Sequence, residues 1–164
     1  MSSSLPIPRV ATVLEGEPVT IIAPDVLRFK AKMAIDSDGS SGGKASDPDW
    51  QGDTSLHHQG KALDAQTIPF VALSPKVIRA VPGTVLGCLV ELIHLRTGKR
   101  CLAVAGDVGP MEKLGEASPA AARALGIPDD PRHGGVDEHV VEYTLFAGVP
   151  AVLGDQVFTL QKMG

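Results

Sequence analysis

Two carboxylates, Asp107 and Glu116, stand where acid–base chemistry could be built. Asp107 comes directly off the apolar run Ala103-Val-Ala105 into Gly106-Asp-Val-Gly-Pro-Met-Glu-Lys-Leu-Gly-Glu-Ala-Ser118, and Glu116 closes that segment just before a helix start. Glycine lets backbone approach a ligand closely and turn sharply enough to aim both acids into one space. Such a pair suits glycoside hydrolysis, in which one carboxyl group protonates the leaving oxygen and the other activates water or attacks the sugar. The same spacing fits a solvated loop in which Glu116 merely favours the positive end of the helix behind it. That helix end stabilises the ionised form, which opposes a proton-donor role unless burial or the Asp107 charge outweighs it.

A second acidic group, Asp36 and Asp38, opens a polar segment running to Asp53 with no periodicity. A structureless stretch of this length in a compact domain is usually functional or disordered. An EF-hand is excluded, because the sixth position from Asp36 is Ser41 rather than glycine and the twelfth is Asp47 rather than glutamate. Three readings remain: an irregular calcium site, a solvated turn, or a cleft wall whose carboxylates bind the ammonium groups of an amino sugar by charge-assisted hydrogen bonds. Asp64 either joins that wall or caps a turn. Trp50, the one indole, either stacks on a sugar face or anchors its own loop. The histidines lack zinc-site spacing, so no metal centre is expected, and without a Gly-x-Ser-x-Gly elbow a Ser-His-Asp hydrolase is dropped.

The elements that must hold these residues are mostly strands. Val10–Leu14, Val19–Ile22, Val26–Ile35, Ala65–Leu73 and Glu138–Phe146 read as β-strands, with Gln156–Leu160 a last one. Val85–Arg96 and Arg100–Ala105 flank Thr97-Gly98-Lys99 as a hairpin, and a two-residue turn there sets Cys101 opposite His94 and keeps it apart from Cys88. Ser118-Pro-Ala-Ala-Ala-Arg-Ala-Leu-Gly126 has a serine cap, proline at the first helical position and glycine past the end, which predicts one short helix. Glycine and proline together make 18 + 13 residues of 164, spread between apolar runs, which argues against a helical bundle. The expected fold is mainly β: a small closed or partly open β-barrel with one or two short helices. Residues 1–8 read as a flexible tail and 9–164 as a single domain.

Composition narrows the partners. A net charge of -4, with no basic block, offers no electrostatic footprint for nucleic acid. No apolar run reaches the roughly eighteen residues of a membrane span, and the N-terminus lacks the pattern of a secretion signal. No obligate protein partner is evident.

The glycine-rich acidic segment resembles the signature of glycoside hydrolase family 75, the endo-acting chitosanases, in which a Gly-Asp-x-Gly stretch is followed by Gly-Glu-x-Ser. Three further blocks match in the family's order: Phe29-Lys-Ala-Lys-Met-Ala-Ile-Asp-Ser-Asp-Gly39, Leu63-Asp-Ala-Gln-Thr-Ile-Pro-Phe-Val71, and Gly134-Gly-Val followed by Val141-Glu-Tyr-Thr-Leu-Phe146. The resemblance spans residues 26 to 148. It implies a double-psi-like barrel and inverting hydrolysis of β-1,4-linked glucosamine polymers without a cofactor. Asp107 and Glu116 would be the catalytic pair, with Glu116 as proton donor and Asp107 as base. Asp36, Asp38, Asp64 and Trp50 would bind substrate. Ser37 stands where many fungal members carry cysteine, and Phe70 replaces a common tyrosine, so a family disulfide at that loop is not expected here. The family's secreted habit implies an extracellular setting, and a removed leader, unconventional export or intracellular work would each fit the lack of a signal in this chain. The alternatives are a peptidoglycan muramidase or lytic transglycosylase on the same scaffold, or a non-catalytic carbohydrate- or calcium-binding module.

Overall fold

The computed structural model describes residues 6–39 and 52–162. Trp50, and with it the substrate-stacking role expected of it, lies outside the described residues. In chain order the elements are β1 (Arg9–Leu14), β2 (Glu17–Ala23), β3 (Val26–Ile35), β4 (His57–His58), β5 (Lys61–Ala62), β6 (Phe70–Leu73), α1 (Pro75–Ile78), β7 (Cys88–His94), β8 (Arg100–Val108), β9 (Glu116–Ala117), α2 (Pro119–Ala124), β10 (Val136–Pro150), β11 (Val152–Leu153) and β12 (Gln156–Val157).

Six strands close on themselves. β3 pairs with β10, β10 with β7, β7 with β8, β8 with β6, β6 with β9, and β9 returns to β3. The β6–β8 and β3–β9 pairings are parallel and the others antiparallel, which makes the ring a mixed, double-psi-like barrel. The β1–β2 hairpin continues the sheet from the first half of β3, where Thr20 pairs with Arg28 and Ala23 with Val26. Past that point the edge of β3 passes to β9, so one strand serves two neighbours in turn.

Alternation explains β3 directly. Leu27, Phe29, Ala31 and Met33 are buried, and Arg28 and Lys30 between them face solvent. Phe29 stacks on Tyr143 of β10 at a centroid distance of 4.8 Å, and the fully buried Tyr143 donates its hydroxyl hydrogen to the Lys32 carbonyl at 2.8 Å. A separate apolar cluster forms around Leu56, Leu63, Phe70 and Phe158. It fastens the segment before β6 and the C-terminal segment to the barrel wall.

The structure corrects several local expectations. The Thr97-Gly98 turn is longer than two residues: His94 N–H donates to Lys99 O at 2.9 Å, Gly98 N–H returns to His94 O at 2.7 Å, and Cys101 pairs with Leu92 rather than His94. Both cysteines are free, and burial pushes Cys88 up to about 12 and Cys101 up to about 11, away from thiolate chemistry. The strand expected over Ala65–Leu73 covers only Phe70–Leu73, because Asp64 folds the preceding residues into a turn, accepting from Gln66 N at 3.0 Å through its side chain and from Ile68 N at 2.8 Å through its carbonyl. The last strand stops at Val157, and α1, capped by Ser74, had no sequence expectation.

Candidate active site

Barrel closure brings the acids together. Ala72 on β6 pairs with Asp107 on one side and with Glu116 on the other, so the two carboxylates share one row of the sheet with a single strand between them. Two strand spacings, about 9.5 Å, therefore separate their backbones. On the far side of β9, Glu116 pairs with Ala34, and Asp36 N–H donates to Ala117 O at 2.8 Å. Asp36 is thus drawn to the same edge from β3.

The glycines of this segment have specific work. A Cβ on Gly109 would lie 2.9 Å from Glu116 Oε1, so the missing side chain is what admits the glutamate carboxyl. Gly115 has φ +90°, and a Cβ there would meet the Lys32 carbonyl oxygen at 2.1 Å; only glycine both turns the chain there and lets β9 dock on β3. Ser118, two residues beyond Glu116, is fully buried. Its hydroxyl donates to Ile68 O at 2.9 Å, and its oxygen accepts from Phe70 N at 2.9 Å and from Ala121 N at 3.3 Å, tying β9 and α2 to β6.

Asp107 is 5% exposed, and its Oδ1 accepts three hydrogen bonds of 3.0 Å, from Ser55 N, Ser55 Oγ and Val108 N. Asp36, at 7% exposure, is hydrogen-bonded side chain to side chain with Asp107 and accepts from Asp38 N at 2.9 Å. Burial, then the Asp107 charge and that hydrogen bond, push Asp36 up to about 9, with Asp38 adding to the rise. Glu116 is also held above the usual carboxylate range, first by burial and then by the charge of Asp107; Lys32 and Lys113 oppose the rise. The helix-end objection to a protonated Glu116 therefore does not decide its state, since burial and Asp107 act in the opposite direction.

These residues line one cleft of about 560 Å³, within the size range of small-ligand sites. Its acidic lining comprises Asp36, Asp38, Asp107, Glu116 and, from β10, Asp137; no lysine, arginine or histidine lines it among the described residues. Oxygens of Asp36, Asp38 and Asp107 lie within 4.8 Å of one another, a spacing that one hard cation could also span. Asp64 is not part of the lining, since its carboxylate serves the turn before β6. Asp137 and Ser55 belong to the site although their sequence context gave no sign of it. A lone aspartate opening a strand and a lone serine in a polar stretch carry no spacing signal.

No family model and no curated protein matches the sequence. Among solved structures, Streptomyces papain inhibitor aligns with a TM-score of 0.43 at 17% identity, over 72% of this chain and 93% of that one.

Proposed function

We propose that the chain is a glycoside hydrolase of the chitosanase kind, cleaving β-1,4-linked glucosamine polymers with inversion at the anomeric carbon. The observation that supports this reading most is the pairing of a half-buried Glu116, held above the usual carboxylate range, with Asp107 in one cleft whose charged lining residues are all acidic. Glu116 protonates the glycosidic oxygen as the C1–O bond breaks. Asp107 takes a proton from the water that attacks C1 from the opposite face, and the cycle closes when Asp107 gives that proton to solvent and Glu116 regains one from it.

The lining favours an amino sugar over an acetylated one. Asp38 and Asp137 present carboxylates that ammonium groups can meet with charge-assisted hydrogen bonds, whereas an N-acetyl group brings no compensating charge. The same argument ranks chitosan above peptidoglycan, whose lactyl carboxylates would meet like charge.

Product analysis with two variants tests this. Chitosan should yield new reducing ends of α configuration, and Asp107→Asn and Glu116→Gln, each with wild-type circular dichroism, should each lose about 100-fold or more in turnover. Near-normal turnover in either variant would remove the two-carboxylate mechanism. Saturable binding without reducing ends would identify a binding module, and anhydro-muropeptides from peptidoglycan would identify a lytic transglycosylase.

A further inference from the structure

Ser55 reaches the site from a segment that the acid motif does not contain. Its backbone N–H and its hydroxyl both donate to Asp107 Oδ1 at 3.0 Å, and its hydroxyl oxygen accepts from Val108 N at 3.1 Å. The segment carrying it is firmly seated. Leu56 N–H donates to Gly106 O at 3.0 Å, directly beside Asp107, and Leu56 and Leu63 are buried in the cluster with Phe70 and Phe158. A Cβ on Gly106 would stand 2.4 Å from Leu63 Cδ1, so the first glycine of the acid motif makes room for this segment. Thr54 closes the segment internally, donating to Leu56 O at 2.7 Å and accepting from Leu63 N at 2.9 Å. From the far end of the chain, Gln161 Nε2 donates to Ser55 O at 2.7 Å, its Oε1 accepts from His57 N at 3.2 Å, and its own N–H donates to Leu86 O at 2.9 Å.

We propose that Ser55 is the positioning residue for Asp107, and that Gln161 locks it in place, so that the C-terminal segment fixes the orientation of the base. With Oδ1 taken by three donors, the carboxyl cannot rotate without breaking them, which fixes the direction in which it faces Asp36 and the cleft. Two of the three donors come from Ser55, and the third, Val108 N–H, is shared with the Ser55 oxygen. The other titratable groups facing Asp107 are Asp36 and Asp38 after β3, Glu116 on β9 and, across the cleft, Asp137 on β10.

The catalytic half of this inference rests on the proposed hydrolase reading; the structural half does not. The deciding measurement is amide hydrogen exchange read by NMR without substrate, in wild type, Ser55→Ala, Ser55→Thr and Gln161→Ala. The Val108 N–H, which donates to Ser55 Oγ and to Asp107 Oδ1, should exchange about 10-fold or more faster in Ser55→Ala, less so in Gln161→Ala, and return toward wild type in Ser55→Thr, which restores the hydroxyl. With a glucosamine oligosaccharide as substrate, Ser55→Ala should lose about 10-fold or more in kcat with KM within about threefold, and Ser55→Thr should recover most of that loss. Unchanged exchange in Ser55→Ala overturns the proposal whatever the activity, and so does kcat within about twofold of wild type in a protein that releases reducing ends. Faster exchange in a protein that releases no reducing ends keeps the clamp and rejects the hydrolase reading. Should Ser55→Ala not fold, Gln161→Ala decides by the same exchange.

Discussion

Replacing Asp36 by asparagine should flatten the pH dependence of folding stability. In the native protein Asp36 is pushed up to about 9 by burial, by the Asp107 charge and by their mutual hydrogen bond, whereas in an unfolded chain an aspartate titrates near about 3.9. Between those values the native state holds one proton that the unfolded state has released. Unfolding free energy then falls as pH rises, at about 1.4 kcal/mol per pH unit for one proton. The contribution is whole below about pH 4 and is progressively lost up to about pH 9. From pH 5 to 8 the loss attributable to Asp36 is about 4 kcal/mol, a large share of the roughly 5–15 kcal/mol that holds an ordinary domain together. Glu116, also raised, adds a slope of the same sign, but it is present in both proteins and cancels in their difference. Asparagine keeps the side-chain shape and can still donate a hydrogen to Asp107. Urea unfolding followed by far-ultraviolet circular dichroism, at about pH 5, 6.5 and 8, should therefore show wild type losing stability with pH faster than Asp36→Asn. Parallel lines would mean that Asp36 is ionised in the native cleft, and the charge reasoning behind the site would fail with it.

Two other substitutions probe the site's edges. Gly109→Ala places a methyl group 2.9 Å from Glu116 Oε1, so kcat on chitosan should fall about 10-fold while the fold, checked by circular dichroism, is retained; turnover within about twofold of wild type would show that the glutamate does not need that space. Asp64→Ala removes the acceptor for Gln66 N–H and should lower stability by about 0.5–1.5 kcal/mol in urea titrations while leaving kcat/KM within about twofold. A drop in kcat/KM beyond about 10-fold would return Asp64 to the substrate.

What could be read from the chain in advance depended on how local its cause was. The alternation of Leu27, Phe29, Ala31 and Met33 follows from one face being buried, and the Ser118 cap with Pro119 follows from backbone groups within a single turn. Both are properties of a few neighbouring residues, so they were legible. β9 was not, because two residues, Glu116 and Ala117, have no period of their own and become a strand only through the edges of β3 and β6. The hairpin register failed for a similar reason: turn composition fits several loop lengths, and the observed one has Val140 O accepting from Leu95 N at 2.8 Å, from a strand far along the chain. Asp107 and Glu116 announced themselves through their glycines, whereas Ser55 owes its place to partners 52 and 106 residues away.

The place of the acids in the ring also accounts for their unequal character. At the seam where β9 joins β3 to β6, side chains from three strands converge on one cleft, so their charges add instead of being spread along a surface. Such crowding is relieved either by binding protons or by binding cations. Asp36, hydrogen-bonded to Asp107, is pushed toward the protonated form, and Glu116 follows it in the same direction through burial. Asp107 meets the problem differently, by gathering N–H and O–H donors from Ser55 and Val108. One seam thus supplies, on β9, a carboxyl held above the usual carboxylate range and, on β8, a carboxyl clamped by donors. In the proposed hydrolase that asymmetry would separate the acid from the base, and it arises from the order in which the strands close.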